Sequence, residues 1–300
     1  MATVNKRVYN PVAATANGVA CGGVMTVALE EGYETVIRSS PDGLAGPAVV
    51  DREAQYVRGS LVFQGWLNAI PLLLGTIGTF VFYERKSGAA AATGYTKHTL
   101  TNPMIYSISL NVTKGGYATV SARFECKAES ETANIGDMHA MLDSQAAPTH
   151  VPAARGGFRI SAGVHGSLDI YHITNFSFAA EMPIRKACND ADLAYTAVDV
   201  CNEAITVSGS LGFQDSEITS AELKAQQLLL ASAGDLVLTI VQSGGAETKT
   251  VTIANAFFVS GSQSSDVNSD YSEYSLNYEV GNDPDTPLTL DGTNKVLTIA

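Results

Sequence analysis

The sequence has few charged residues for its length. Asp, Glu, Lys and Arg make up 16 % of the 300 residues, against roughly 25 % in an ordinary globular domain. A chain that stays alone in water normally carries more charge on its surface, so the deficit indicates that neighbouring subunits cover much of this one. Basic residues are scarcest: the net charge is −12, which argues against a protein that grips nucleic acid through its phosphates.

Long apolar runs are also missing. The longest, Ala69 to Tyr83, is shorter than the roughly 20 residues of a membrane-spanning helix and is broken by Pro71, Gly75 and Gly78. The first seven residues contain no apolar segment typical of a secretory signal. We therefore expect no membrane-spanning segment and no export, and we interpret the run as core.

The four cysteines show no C-x-x-C spacing. Buried thiols in a reducing cytoplasm are the expectation for Cys21, Cys126, Cys188 and Cys201, with a Cys188–Cys201 disulfide as the alternative.

Catalytic signatures are absent. The sequence has no G-x-S-x-G, no H-E-x-x-H and no phosphate-binding G-x-x-x-x-G-K-[ST]. We predict that the protein is not an enzyme and has no catalytic, cofactor-binding or metal-binding residues. His165, Asp169 and His172 were the closest to a metal cluster, but alternation around Leu168 and Ile170 predicts one strand with His172 on the opposite face from the other two.

The charge is unevenly distributed. Residues 1–150 hold 12 acidic and 11 basic residues, whereas residues 151–300 hold 18 and 7. Seven carboxylates and no Lys or Arg lie between Asp266 and Asp291. Asp283, Asp285 and Asp291 could supply oxygen ligands to Ca²⁺, and a plain acidic loop is the alternative interpretation.

What the sequence does have is an internal repeat. Val57 to Gln64 (VRGSLVFQ) returns as Val207 to Gln214 (VSGSLGFQ), 150 positions later. Three further echoes follow in the same order: Leu72–Phe82 with Leu228–Leu238, Lys97–Ser107 with Lys249–Ser260, and Tyr117–Glu125 with Tyr271–Glu279. Collinear echoes of this kind indicate a duplicated unit.

Each repeat predicts strands around one helix. Alternation in Tyr56 to Gln64 places Val57, Leu61 and Phe63 on one face, and Val207, Leu211 and Phe213 repeat that face. Thr219-Ser220-Ala221-Glu222 is a capping box before a helix that should end at Gly234, and Pro71 predicts a shorter helix in the first copy.

The resulting fold class is mostly β: two tandem, similar β-sandwich or barrel domains, each with a short flanking helix. The predicted organisation is an N-terminal arm (1–23), a first domain (24–126), a connector (127–157) with a possible short helix around Asp137 to Asp143, a second domain (158–280) and a C-terminal extension (281–300). The strand-like end, Lys295 to Ile299, can pair with its own domain or with a neighbouring subunit.

This pattern of strand, short helix, strand, loop-rich hairpin and closing strand pair, repeated in tandem, resembles the bacteriophage tail tube protein family and the Hcp-like tubes of contractile injection systems. The resemblance covers residues 24–126 and 158–280 and rests on architecture and duplication. It implies a structural virion protein of the tail tube: a homo-oligomer whose rings, trimeric and pseudo-sixfold, stack around a lumen.

The resemblance also implies partners and a location. Other tail proteins are the expected partners, DNA would pass through the lumen without specific binding, and the protein would lie in the virion tail after assembly in the host cytoplasm. Residues 1–20 would act between rings, so that their removal impairs stacking more than folding. The alternatives are a tube subunit of a contractile injection system and a β-sandwich surface or receptor-binding virion protein, for which Tyr271, Tyr274 and Tyr278 would have to supply an exposed aromatic cluster.

Overall fold

The computed structural model describes residues 5–39, 47–65, 67–74, 77–86, 93–149, 157–189, 192–200, 205–215, 218–242, 248–265, 272–281, 289 and 295–300. The predicted mostly-β class is confirmed, because strands account for most of these residues. Trp66 and the segments 40–46 and 243–247 lie outside the described residues.

The described residues form twenty strands and three helices. The strands are β1 (Asn5–Tyr9), β2 (Ala13–Ala16), β3 (Val19–Cys21), β4 (Val24–Ser39), β5 (Pro47–Gln64), β6 (Thr79–Arg85), β7 (Tyr95–Thr101), β8 (Pro103–Thr113), β9 (Thr119–Cys126), β10 (His139–Gln145), β11 (Phe158–His165), β12 (Leu168–Ile170), β13 (Ile173–Glu181), β14 (Ile184–Ala187), β15 (Ala197–Val200), β16 (Thr206–Asp215), β17 (Gly234–Gln242), β18 (Thr248–Ser265), β19 (Ser272–Val280) and β20 (Leu297–Ile299). The helices are α1 (Ala69–Leu73), α2 (Ile135–Met138) and α3 (Ile218–Leu230).

One large antiparallel sheet contains strands from both halves of the chain. Its order is β1-β4-β5-β9-β8-β13-β16-β19-β18-β17-β11-β12, with β20 also paired to β18. Directly opposed residues project to the same side of a sheet, so the register defines rows across it. One row is buried at every position: Val27, Leu61, Ala122, Ile108, Ala180 and Val207. The sheet therefore has one continuous core face that passes from the first half to the second.

A second sheet, in the order β10-β7-β6-β2-β3, packs against this core face in the first half. Its Phe80, Phe82 and Leu100 are fully buried and belong to the same contiguous hydrophobic cluster as Leu61 and Leu211. In the second half, β17, β11 and β12 occupy the corresponding place, and they remain part of the large sheet because β18 runs unbroken into both layers. The predicted core residues Val57, Leu61, Phe63, Val207, Leu211 and Phe213 are all buried, which confirms that alternation.

The strand registers of the two halves coincide. The pair Leu61↔Ala122 in the first half has the counterpart Leu211↔Leu276 in the second, at the positions that the sequence echoes assign to each other. The register also shifts at equivalent points. The β4–β5 pair shifts between Val24 and Thr26, and the β13–β16 pair shifts between Ile173 and Asn175. A further matching shift follows Ile105 in β8 and Phe258 in β18.

Unusual backbone conformations recur at the same places. Asn102, between β7 and β8, has a φ of 47°, and its counterpart Asn255 within β18 has a φ of 52°. Both are left-handed, a conformation that Asn adopts more readily than most residues. The carbonyl of Asn102 accepts a hydrogen bond from the N–H of Lys127, which follows β9, at 3.0 Å. The carbonyl of Asn255 accepts one from the N–H of Gly281, which follows β19, at 3.1 Å.

A glycine lies opposite a neighbouring carbonyl and an aromatic ring in both halves. A Cβ added at Gly59 would overlap the carbonyl oxygen of Ala28 and approach Phe124, and one at Gly209 would overlap the carbonyl oxygen of Ser177 and the ring of Tyr278. The ring fills the space that a side chain would have taken. The shared glycine in the G-S-L echo therefore has a packing reason.

Several finer predictions are wrong. Residues 5–21, expected as an arm or irregular segment, form β1, β2 and β3, and they bury Tyr9, Ala14 and Ala16. Removing residues 1–20 would therefore also remove core side chains, which counts against the expectation that the truncation impairs stacking more than folding. The short helix predicted around 137–143 covers Ile135–Met138 only, and the chain then continues as β10, which pairs with β7.

The helix predictions hold in outline. The second-copy helix exists and the first-copy helix is shorter, five residues against 13. Helix α3 starts at Ile218, so Thr219 lies inside it instead of capping it, and Gly234 begins β17 instead of ending the helix. The C-terminal strand pairs within its own chain, since β20 lies beside Val251–Ile253 of β18.

Candidate functional site

The side of the large sheet that faces away from the core is lined by short polar side chains. We call it the serine face. Its central residues, half-buried or exposed, are Ser60, Ser107, Ser109, Asn111, Thr119, Ser121, Arg123, Ser177, Ala179, Glu181, Ser208, Ser210, Asn277 and Glu279. These residues arise from alternation, as in Ser107-Ile108-Ser109-Leu110, where every second side chain enters the core. The face extends over both halves without a break.

Neighbouring side chains on the serine face bond to one another across strands. The Ser177 and Ser210 hydroxyls lie 2.8 Å apart, and Asn277 Nδ2 donates to Ser260 Oγ at 3.0 Å. Both contacts belong to one row that continues through Asn111 and Thr119. Groups that bond laterally are short and already partnered, so this surface has little to offer an approaching ligand.

The few charges on the serine face largely cancel. Arg123 lies opposite Ser60 and 3.8 Å from Glu181, and both charged side chains are more than 60 % exposed. Glu279 is exposed at the centre of the second half. An exposed pair of this kind contributes little stability. Arg123 thus lies beside a carboxylate, which weakens its attraction for a phosphate.

An ionic cluster borders the serine face where β4 and β5 leave the sheet. Arg58 donates to Glu30 at 2.6 Å, and its guanidinium lies 4.4 Å from the centre of the Tyr56 ring. Tyr56 also donates to Glu30 at 3.1 Å. The hydrogen bond from Arg58 lowers the pKa of Glu30 below its ordinary value, so this carboxylate stays charged. The cluster fixes the base of the long β4–β5 hairpin.

Lys186, from β14 in the second half, reaches carboxylates of the first. Its Nζ donates to Glu125 at 2.9 Å and to Glu34 at 3.4 Å. Burial alone would lower the pKa of Lys186, but the hydrogen bond and charge of Glu125 outweigh it and raise the pKa. The Glu125 side chain is only 3 % exposed, so the lysine neutralises a carboxylate that would otherwise be buried alone. This contact joins the two halves beside the sheet.

A buried histidine pair lies on the other side of the large sheet. His98 Nδ1 and His139 Nε2 are 3.2 Å apart, and His139 Nδ1 contacts the carboxylate of Glu31. His98 stacks on Phe82 at 4.5 Å, and Tyr9 of β1 packs against both rings. Burial lowers the pKa of His98 to about 4, so it is neutral near pH 7. Sequence spacing could not reveal this pair, because 41 residues separate its members.

The histidines that the sequence singled out do not converge. The single strand predicted for 165–173 is wrong: His165 ends β11, a turn follows, and Asp169 lies in β12. His165 is buried with Nε2 2.9 Å from the carbonyl oxygen of Ala256, whereas Asp169 and His172 are exposed. Across the described ranges, no three His, Cys, Asp or Glu side chains gather as metal ligands would.

The remaining candidate side chains are core residues or lie outside the description. Tyr274 and Tyr278 are buried, stacked on Phe213 and Phe176 respectively, so they cannot form an exposed aromatic cluster for a receptor. Tyr271, Asp283, Asp285, Asp291 and Cys201 lie outside the described residues. Cys21 and Cys126 are buried as predicted, and burial raises the pKa of Cys21 to about 11. The prediction of burial is wrong for Cys188, which is exposed.

A surface concavity of about 250 Å³ lies beside α2. Its carboxylates already have structural partners: Glu129 accepts from Asn102 Nδ2 at 3.3 Å, and Asp137 accepts from the Asn134 N–H at 2.9 Å. The Asp137 contact completes a capping box for α2. The polar groups here serve local folding.

Comparison with protein-family models and with curated protein sequences finds no match. Within the described ranges, no helix has the length and apolar character to cross a bilayer. The serine face and the edges of the large sheet are thus the features on which a functional interpretation must rest.

Proposed function

We propose that this chain is a structural subunit of a tail tube, built from two fused and similar β modules (residues 24–126 and 158–280). In this proposal three chains close a pseudo-sixfold ring around a lumen, and rings stack into a tube through which DNA passes. The single observation that carries the proposal is the β8–β13 pairing, which continues one sheet from the first half into the second.

The large sheet contains the same block of four strands twice. The first half contributes the block β4-β5-β9-β8, and the second contributes β13-β16-β19-β18, with the same register inside each block. The joint between the blocks places β8 against β13. If the same joint is applied again, β18 of one chain meets β4 of the next, and repetition of a rotation that closes gives a ring. Closure also removes the open sheet edges that otherwise cause aggregation.

The serine face supports the assignment of an inner wall. A closed sheet has one surface inside and one outside, and the side toward β6, α1 and α3 is occupied by the core layer. The serine face would then line the lumen. Short hydroxyls, the Arg123–Glu181 pair and the exposed Glu279 would give a polar wall with little attraction for phosphates, which suits passage without binding.

The low charge of the whole chain fits the same proposal. Tube subunits bury edges and flanks against sister copies, so fewer charges are needed for solubility. The long β4–β5 hairpin and the C-terminal extension (281–300) would make contacts between stacked rings.

Electron microscopy with site-specific labelling tests this proposal. We expect the purified chain to form rings or tubes with a central opening. In a Cys188→Ser, Cys201→Ser background, Ser208→Cys on the serine face should react with a small maleimide in tubes but not with a bulky polymer-linked maleimide. Thr298→Cys, exposed on β20, is the matched control and should react with both. Discrete single chains at all concentrations, or equal labelling of both sites by the bulky reagent, would refute the proposal.

A further inference from the structure

The two ends of the repeated sheet differ in how they are covered. The outer edge of β4 is paired with β1, from Asn5↔Glu31 to Tyr9↔Val27. The second part of β18 pairs with β19 on one side. On its other side, the pairing of β18 with β17 ends at Ala256, which lies opposite Gly234, and no other described strand pairs with residues 257–265. One end is therefore capped by the chain's own N-terminal strand, and the other is open.

The joint within the chain gives the register that a joint between chains would have. In that joint, β8 pairs with β13 from Ser107↔Glu181 to Thr113↔Asn175. Ser107 and Ser260 are counterparts, because each is the first paired residue after the register shift in its strand. Counting in the same way from the shifts in β4 and β13 makes Gly32 the counterpart of Glu181. Transfer of the register then pairs Ser260 with Gly32, Ser262 with Glu30, and Ser265 with Val27.

Strand β1 occupies the same place. The five β4 residues that it pairs, Val27 to Glu31, all belong to the stretch that the transferred register assigns to β18. The direction also agrees, because both pairings are antiparallel. In this geometry Arg7 stands where Gln263 of a neighbouring chain would stand, and the two strands cannot bind this edge together.

From this overlap we propose that β1 is a resident strand that closes the β4 edge in the free chain and is exchanged for β18 of a second copy when the ring closes. This inference rests on the proposed function. It names the subunit interface as β18 residues 260–265 against β4 residues 27–32, and it makes β1 the segment that must leave.

The contacts of β1 suit a strand that can be released. Its residues Lys6, Arg7 and Val8 are exposed, and Val8 is 62 % exposed despite being apolar. Among the residues of β1 whose burial is described, only Tyr9 is buried, against Phe82 and His98. The backbone hydrogen bonds lost with β1 are replaced by those of the incoming strand, so backbone pairing contributes little net free energy to the exchange. Side-chain contacts and closure of the ring then determine which strand occupies the β4 edge.

The incoming strand is polar where its counterpart is apolar. Ile108, Leu110 and Val112 of β8 enter the core, whereas their counterparts in β18 are Gly261, Gln263 and Ser265. Residues 260–264 are all exposed. A strand of small polar residues stays soluble while it waits for a partner, and it still offers a full row of backbone donors and acceptors. The open end is thus compatible with a chain that exists free before assembly.

A reversible lock tests the exchange. Val8 and Ala28 are directly opposed in β1 and β4, and opposed Cβ atoms lie near the separation that a disulfide requires. In the Cys188→Ser, Cys201→Ser background, we expect oxidised Val8→Cys/Ala28→Cys to remain as single folded chains and to assemble when dithiothreitol is added. Size-exclusion chromatography with light scattering and electron microscopy would measure this.

The control is a second cross-strand lock away from the edge. Thr99 and Ala140 are opposed in β7 and β10, and oxidised Thr99→Cys/Ala140→Cys should assemble like the parent. If the parent assembles and the β1 lock assembles equally well when oxidised, the exchange is refuted while the tube proposal stands. If the parent itself never assembles, the tube proposal fails first.

A spin label gives a second readout that does not depend on the lock. Attached to Val8→Cys alone, it should report a strand that becomes more mobile on assembly, seen as a narrower electron paramagnetic resonance spectrum. An unchanged or broader spectrum in assembled rings would show that β1 stays docked and would overturn the inference.

Discussion

Substitution of the two paired glycines tests the packing equivalence of the halves. We predict that Gly59→Ala and Gly209→Ala each destabilise the chain, and by similar amounts. A Cβ at either position would come far closer than 3.0 Å to a carbonyl oxygen of the neighbouring strand, that of Ala28 or of Ser177. Neither oxygen can turn away as a flexible side chain would, because both belong to paired strands.

The expected size follows from two opposing effects. Overpacking of a well-packed region typically costs about 1–3 kcal/mol. Replacement of glycine by alanine also lowers the entropy of the unfolded chain, which stabilises the folded state by about 0.4–1 kcal/mol. The net loss in the free energy of unfolding should therefore be about 1–2 kcal/mol at each position.

Urea unfolding of the unassembled chain would measure this loss, with Gly78→Ala as the matched control. At Gly78 the nearest atom to a new Cβ is Asn17 Oδ1 at 3.7 Å, an ordinary contact, so this substitution should be neutral or slightly stabilising. If Gly59→Ala and Gly209→Ala behave like the control, the close packing of strand against strand described above is wrong. A large loss at only one of them would contradict the equivalence of the halves.

Two further predictions concern buried charge. Lys186→Met leaves Glu125 buried without its partner at 2.9 Å, and the free energy of unfolding in urea should fall by about 2–3 kcal/mol, somewhat less than for a fully buried pair because the lysine is partly exposed. The control is Arg123→Met, at an exposed pair, which should change the free energy of unfolding by no more than about 0.5 kcal/mol. Equal losses would contradict the conclusion that Lys186 neutralises a buried carboxylate. His98 has a pKa of about 4 in the folded chain against an ordinary 6.5, so the unfolded chain binds the proton first as pH falls from 6.5 to 4. The free energy of unfolding should therefore drop by at most about 1.4 kcal/mol per pH unit in that window. Unfolding curves of His98→Phe at pH 7 and pH 5 should show a smaller drop, and a drop as large as that of the parent would mean that other groups cause the pH dependence.

Local patterns predicted the strands and their core faces well. The alternation in Val57 to Phe63 and its echo in Val207 to Phe213 place the apolar side chains where the structure buries them. The same period put serine on the opposite side, so the serine face was implicit in segments such as Ser107 to Leu110. What alternation cannot give is the order of strands in a sheet, and so it could not indicate that β8 meets β13 or that the serine face is continuous.

The predictions that were wrong failed because strand pairing and tertiary packing override local sequence preference. Residues 5–21 are rich in small side chains and looked irregular, yet β2 pairs with β6, so that Ala14 and Ala16 are buried in the core directly opposite Phe82 and Phe80. The segment after Met138 pairs with β7 and becomes a strand, because pairing overrides a weak local preference. The two-residue turn between His165 and Leu168 reverses the chain where the hydrophobic pattern alone continues. His98 and His139 meet only through the β7–β10 register.

The contrast between β8, whose alternate side chains are apolar, and the polar second part of β18 (residues 260–265) has a kinetic consequence. In the proposed tube, every second joint would be the β8–β13 pairing within one chain, which would form during folding at any protein concentration and is sealed by aliphatic side chains. Only the remaining joints depend on encounters between molecules, and these are the ones made of serine, glycine and glutamine. If the chain assembles in this way, such a division would let it accumulate as monomers and would confine polymerisation to moments when a template or a high local concentration favours the strand exchange.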